Sequence, residues 1–209
     1  MNERMSTLLR WMRSWTFVGA AALAIGGAAA AVVLTRGGDA STTHAPGAAA
    51  EEPTRTTLAD RFAVLSHAHS NRCGMPASAL DSMPPGSRLQ GACCFPLDYR
   101  SFVNQVHELN IRYATVDVIP KDPYDIPVSL AKRLIGYQSI KLTPAQRRSY
   151  DRAKPLSATK GPCCCPCWRW TAFGGQAKYL ITRRHYSARQ IAEVWSAEEG
   201  CGGPSHRHV

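Results

Sequence analysis

Cys163, Cys164, Cys165 and Cys167 place four thiols within five residues, in the run Gly161-Pro162-Cys163-Cys164-Cys165-Pro166-Cys167-Trp168. Adjacent cysteines rarely bridge one another, because the small ring strains the peptide between them. These thiols therefore pair outward, bind a metal or stay partly free. Pro162 and Pro166 keep a helix from running through the segment. A turn built this way points several sulfurs at one centre. Cys164 to Cys167 is a C-x-x-C and Cys165 to Cys167 a C-x-C, spacings that suit thiolate chelation by a turn. The other thiols are Cys73, the adjacent Cys93 and Cys94, and Cys201, giving eight in all.

Thiolate ligands select soft ions: Cu(I), Hg(II) or the borderline Zn(II). His67, His69 and Met75 lie close to Cys73 in sequence and add a His/Cys/Met neighbourhood of copper-like type. If the preceding helix persists, His67 and His69 face different ways and do not chelate together. The expected ligand set is Cys163, Cys164, Cys165 and Cys167, with Cys93, Cys94, Cys73, His69 and Met75 contributing by tertiary contact. A C-x-x-C-H is absent, so covalent haem is unsupported, and the paired C-x-x-C spacing of a zinc ribbon is absent too. Two other uses of the thiols compete. One is a thiol–disulfide redox pair, Cys164 with Cys167, although no βαβ pattern surrounds it. The other is a disulfide-stapled structural or interaction domain, which an even count in an oxidising compartment allows. Arg169 or Lys160 beside the cluster would favour thiolates.

Pro162-Cys163-Cys164-Cys165-Pro166-Cys167 fits the spacing P-C-x-C-x-C. It resembles the motif of the exported bacterial proteins named for PCYCGC. The resemblance covers about ten residues and the layout of signal, tether and Cys-rich domain. It implies a membrane-attached surface protein linked to metal or redox chemistry, with no assigned activity. Cys164 and Pro166 stand where that motif has Tyr and Gly, and no lipobox Cys is present.

The elements that must position these thiols are mostly helical. Thr57 can cap a helix with Leu58, Phe62 and Leu65 on one face, and Asp98 one with Phe102, Val106 and Leu109. Pro127 is placed to open a helix at its first position. Thr143-Pro144-Ala145-Gln146 and Ser187-Ala188-Arg189-Gln190 read as capping boxes. The second begins a helix with Ile191, Val194 and Trp195 inward. Residues 177–184 suggest one more short helix. Tyr113 to Ile119 alternates like a strand and Pro120 stops it. The expected fold is a small, mostly α domain over residues 57–203 with long Cys-rich loops, which need crosslinks or a metal to be ordered.

Trp15 to Leu34 is twenty residues without a charge, preceded by Arg4, Arg10 and Arg13. At 1.5 Å per residue it reaches about 30 Å, the thickness of a bilayer core. Residues 1–14 then stay in the cytoplasm and the remainder is extracytoplasmic. Cleavage near Ala28 to Ala31 would make the same segment a secretory signal and the protein secreted or periplasmic. Residues 35–56, rich in Ala, Gly, Pro and Thr, read as a flexible tether, and 204–209 as a disordered tail.

Across 209 residues the net charge is +10, with 44% hydrophobic and 19% charged residues, which excludes a fully disordered chain or a long coiled coil. The Arg147-Arg148 and Arg183-Arg184 pairs form no stripe interleaved with aromatics, so nucleic acid is not an expected partner. Anionic cell-surface components are the counter-surface that fits a basic exported domain. Asp117, Asp122 and Asp125 lack the glycine and terminal glutamate of a calcium loop and suit turn and capping roles. No G-x-S-x-G, P-loop, H-E-x-x-H or dinucleotide fingerprint occurs, so the sequence carries no complete catalytic signature.

Overall fold

Side-chain caps fix most helix starts. The structure, a computed structural model, describes residues 57–203. Thr57 and Asp60 cap each other reciprocally at the head of α1, Leu58–Ser66. Asp98 accepts from Ser101 N at 2.8 Å and starts α2, Tyr99–Arg112. The boxes at Thr143/Gln146 and Ser187/Gln190 open α4, Pro144–Leu156, and α6, Ala188–Ala197, each satisfying two otherwise unpaired groups. Between them lie α3, Val128–Gly136, and α5, Trp168–Arg183. Six α-helices and little strand make the described part mostly α. The expected membrane segment 15–34, the tether 35–56 and the tail 204–209 lie outside the described residues. Among the described residues no helix is long and apolar enough to cross a membrane.

Three local expectations change. Tyr113 to Ile119 forms no strand. It winds through successive turns, Val116 N donating to Tyr113 O at 2.9 Å and Ile119 N to Val116 O at 3.1 Å. Lys121 Nζ closes the turns by donating to the carbonyls of Tyr113 and Val116. The strands are instead β1, Arg88–Gln90, and β2, Asp125–Pro127, paired antiparallel with Leu89 opposite Ile126. Pro127 therefore ends a strand and precedes α3 rather than opening it. The helix expected over 177–184 begins at Trp168. Gly174 and Gly175 hide it in the sequence, since each weakens a helix by about 1 kcal/mol. The fold needs Gly175, because a Cβ there would lie 2.1 Å from the Leu134 carbonyl oxygen of α3.

The core sits around α5. Trp168, Ala172, Phe173, Ala177 and Leu180 pack with Ala131 and Leu134 of α3 and with Ile191, Val194 and Trp195 of α6, all buried. Trp195 Nε1 donates to Phe173 O at 3.2 Å, so the buried indole keeps a partner. A smaller cluster joins α1 to α2 through Leu65, Phe102, Val106 and Tyr124. Cys-bearing loops lie before and after these helices, and α5 starts immediately after the Cys163–Cys167 run.

Candidate metal centre

Backbone hydrogen bonds lace the Cys-bearing loops together. Cys93 N donates to Gly200 O at 3.0 Å, Cys94 N to Cys201 O at 3.1 Å and Phe95 N to Cys201 O at 2.8 Å. Cys73 N donates to Cys93 O at 3.1 Å, bringing a third loop alongside. Asn71, buried at the root of that loop, accepts from Trp168 Nε1 at 3.1 Å and donates to Gly91 O at 2.9 Å. Trp168 N donates to Met75 O at 2.7 Å, so the same loop braces the first turn of α5. Gly202 is required where these loops cross. Its φ is +78°, and a Cβ there would lie 2.3 Å from Phe95 O.

The consequence is a convergence of sulfur. Cys93, Cys94 and Cys201 form one triad, and Cys163, Cys164 and Cys165 another, with the sulfurs of each within 4.8 Å of one another. Either triad is near enough to hold a metal ion. Cys73 Sγ lies 3.3 Å from Cys165 Sγ, and Cys167 Sγ lies 3.7 Å from Cys163 Sγ. Cys163, Cys167 and Cys201 are buried, whereas Cys73, Cys94 and Cys164 are exposed, so the cluster has a closed floor and an open edge. All eight cysteines are free thiols.

Cys201 was the thiol that sequence spacing left out of the ligand set. Its signal was the GCGG context, since Gly202 allows the close approach to the Cys93–Cys94 loop and Gly200 leaves room for Arg169. His69 is exposed and belongs to neither triad. The Met75 side chain is buried in the hydrophobic core, and its main-chain oxygen holds α5. Cys164 meets Cys201 at 2.8 Å and Cys94 at 3.8 Å, while Cys167 meets Cys163, so each end of the C-x-x-C faces a different neighbour. Asp117, Asp122 and Asp125 are each in an ion pair, with Arg133, Arg61 and Arg88.

Arg169 is the cation under the floor. It is 1% exposed, with Nη1 donating to Pro123 O at 2.9 Å and Nη2 to Glu198 O at 2.7 Å. Its guanidinium carbon lies 4.9 Å from the centre of the Phe173 ring and 5.4 Å from Trp168. Burial works against its charge, but the thiolates of Cys93 and Cys163 outweigh burial and raise its pKa. Lys160 is exposed and donates to Pro155 O instead.

The thiols divide the negative charge unequally. Hydrogen bonds from Cys167 and Cys201, with Arg169 assisting against burial, hold Cys163 far below the ordinary thiol range. A hydrogen bond from Cys201 brings Cys93 down to about 7 despite burial, and Arg169 adds to it. Cys167 and Cys201 are pushed up as the donors to those thiolates, and burial adds to both. Burial raises Cys94 and Cys164, and raises Cys165 to about 12. Crowded sulfurs cannot all ionise beside one buried cation, so protons occupy places that metal ions can take.

The donor set fits a soft ion. A thiolate tetrahedron with bonds of about 2.3 Å has edges of about 3.8 Å. Cys94–Cys164 at 3.8 Å and Cys163–Cys167 at 3.7 Å match that edge, each pair reaching outside a single triad, and Cys93–Cys94 within one is 3.5 Å. Neither triad includes a carboxylate or imidazole, which argues against hard cations. A cleft of about 500 Å³ between α2 and α6 holds no thiol, and its Arg112 is paired with Glu108 and Glu193. No family model, curated protein or solved structure matches the chain.

Proposed function

We propose that this protein binds a soft metal ion of the Cu(I), Zn or Hg class through thiolates, in metal handling or tolerance. The observation that carries the reading is the pair of cysteine triads, the sulfurs of each lying within 4.8 Å of one another. A sulfur-only donor set suits each member of that class and sets them apart from ions that prefer oxygen ligands. The N-terminal segment would tether the domain outside the cytoplasm, as its length and positive flank imply. Anionic surface components would meet its basic surface. Metal capture fits such a location, where thiols need either a metal or a bridge to persist.

Anaerobic purification of the full-length protein, elemental analysis and a free-thiol count test the reading. Metal bound in the parent and lost when Cys163, Cys164, Cys165 and Cys167 are changed to Ser supports it. Unchanged occupancy in that variant rejects it. The disulfide reading has its own observation, the 2.8 Å approach of Cys164 and Cys201, and gains support if no free thiol is found under denaturing, non-reducing conditions. Labelling of intact cells with a membrane-impermeant maleimide tests the location.

A further inference from the structure

The two triads are not separate in space. Cys164, of the second triad, lies 2.8 Å from Cys201 and 3.8 Å from Cys94, both of the first. The closer of these contacts is shorter than the 3.5 Å between Cys93 and Cys94 within the first triad. Cys201 in turn lies within 4.8 Å of Cys93 as well as of Cys94. Cys73 and Cys167 extend the same network through Cys165 and Cys163. Direct sulfur–sulfur contacts join Cys93, Cys94, Cys164 and Cys201, and the Cys163–Cys164–Cys165 triad, whose sulfurs lie within 4.8 Å of one another, brings the remaining thiols alongside.

Building on the metal-binding reading, we propose that the eight thiols hold one polynuclear thiolate cluster of Cu(I), joined across the triads by Cys164 and Cys201. Two independent sites would need two donor sets with a gap between them, whereas Cys164 of one triad lies 3.8 Å from Cys94 of the other, the separation of two thiolates that share an ion. An ion in one triad that takes a further ligand must draw it from this shared network. A sulfur so placed bridges two ions. Thiolates bridge readily because sulfur keeps lone pairs after binding a first ion, and Cu(I) accepts low coordination numbers. The architecture agrees with this use. The four Cys-bearing segments are tied by main-chain hydrogen bonds, which hold the scaffold while the side chains rearrange around several ions. Cys163, Cys167 and Cys201 form the buried floor, and Cys73, Cys94 and Cys164 the edge through which ions arrive and leave.

Titration of the reduced full-length protein with acetonitrile-stabilised Cu(I), read by native mass spectrometry and X-ray absorption, tests this. The expected result is a metal-free form and a form carrying more than two ions, with few intermediates and a metal–metal scattering vector. Cys164→Ser, at an exposed position, should lower the final stoichiometry and weaken that vector while leaving the circular dichroism unchanged. Cys201→Ser should do the same if it folds. Two ions taken up in independent steps, with no metal–metal vector, would overturn the cluster and leave metal binding standing. Failure to take up Cu(I) at all would overturn both.

Discussion

Arg169 Nη2 donates to the main-chain oxygen of Glu198 at 2.7 Å, tying the first turn of α5 to the peptide that leads into Cys201. Through Nη1 the same guanidinium also holds Pro123 O, after β1 and α2 and before β2. One buried side chain thus braces two connections and supplies the cation beneath Cys93 and Cys163. A planar fork does both at once. An ammonium supplies the charge without the geometry.

Arg169→Lys and Arg169→Met separate those two contributions. Both should destabilise the reduced protein by about 2–4 kcal/mol, because buried carbonyls lose their donors. Only the Met variant removes the positive charge, so only there should the Cys93 thiolate titrate clearly above its value of about 7. Urea unfolding and ultraviolet thiolate absorbance against pH check the pair. Equal thiolate titrations in both variants would contradict the electrostatic role.

Gly200 tests the same brace from the other side. A Cβ there would lie 2.3 Å from Arg169 Cζ and 2.6 Å from Nη1, and the guanidinium is too enclosed to step aside. Gly200→Ala should therefore cost about 1–3 kcal/mol and lower metal affinity by displacing the Cys201 loop. Gly136→Ala is the control. Its Cβ would meet nothing within 4 Å at the end of α3, and it should be neutral or stabilising by up to about 1 kcal/mol. Paired denaturation curves read both.

The helix starts were legible because their signals are local. Thr143 with Gln146 and Ser187 with Gln190 announce themselves within four residues, and the structure forms both boxes. The strand expected at Tyr113 to Ile119 failed because alternation says nothing of a partner, and β1 and β2 are too short to alternate visibly. The front half of α5 was hidden by Gly174 and Gly175, whose value lies in contact with α3 rather than in helix propensity. At the site, the Cys163–Cys167 run pointed to converging sulfur. The joining of Cys164 to Cys201 spans 37 positions and is made by loop pairing that no spacing rule encodes. Arg169 could be named as a neighbouring cation, but its burial is a tertiary fact.

Glu198 makes stability depend on pH in the unusual direction. It is 1% exposed, and burial raises its pKa from an ordinary 4.5 to about 8, against the opposing pull of Gln176, Arg169 and Lys121. Gln176 Nε2 donates to its Oε1 at 2.5 Å, and its Oε2 has no partner. The native state thus keeps a proton that the unfolded chain has lost between those two values. Stability from this group is full below 4.5 and is lost as pH rises toward 8. Glu198→Gln should remove that slope, so the variant gains on the parent by on the order of a few kcal/mol between acid and mildly alkaline pH. Urea unfolding of both proteins across that window reads the difference, in which the titration of the thiols cancels. A difference that does not change with pH would show that Glu198 is ionised in the native state.

Metal uptake should release protons, and the thiols that release them are identifiable. At neutral pH Cys163 is already a thiolate and Cys93 is about half ionised, whereas Cys94, Cys164, Cys165, Cys167 and Cys201 keep their protons. Coordination needs the deprotonated form, so each of the latter gives up a proton on binding. The sign follows: affinity falls as pH falls, by about tenfold per pH unit for each proton displaced in a step. Competition with a Cu(I) chelator at two pH values should show that loss, and a pH-stat titration should count the protons. Cys94→Ser removes one titrating thiol from the exposed edge and should reduce the count, with a shallower pH dependence. Proton release that is absent in the parent would mean the thiols bind no metal as thiolates.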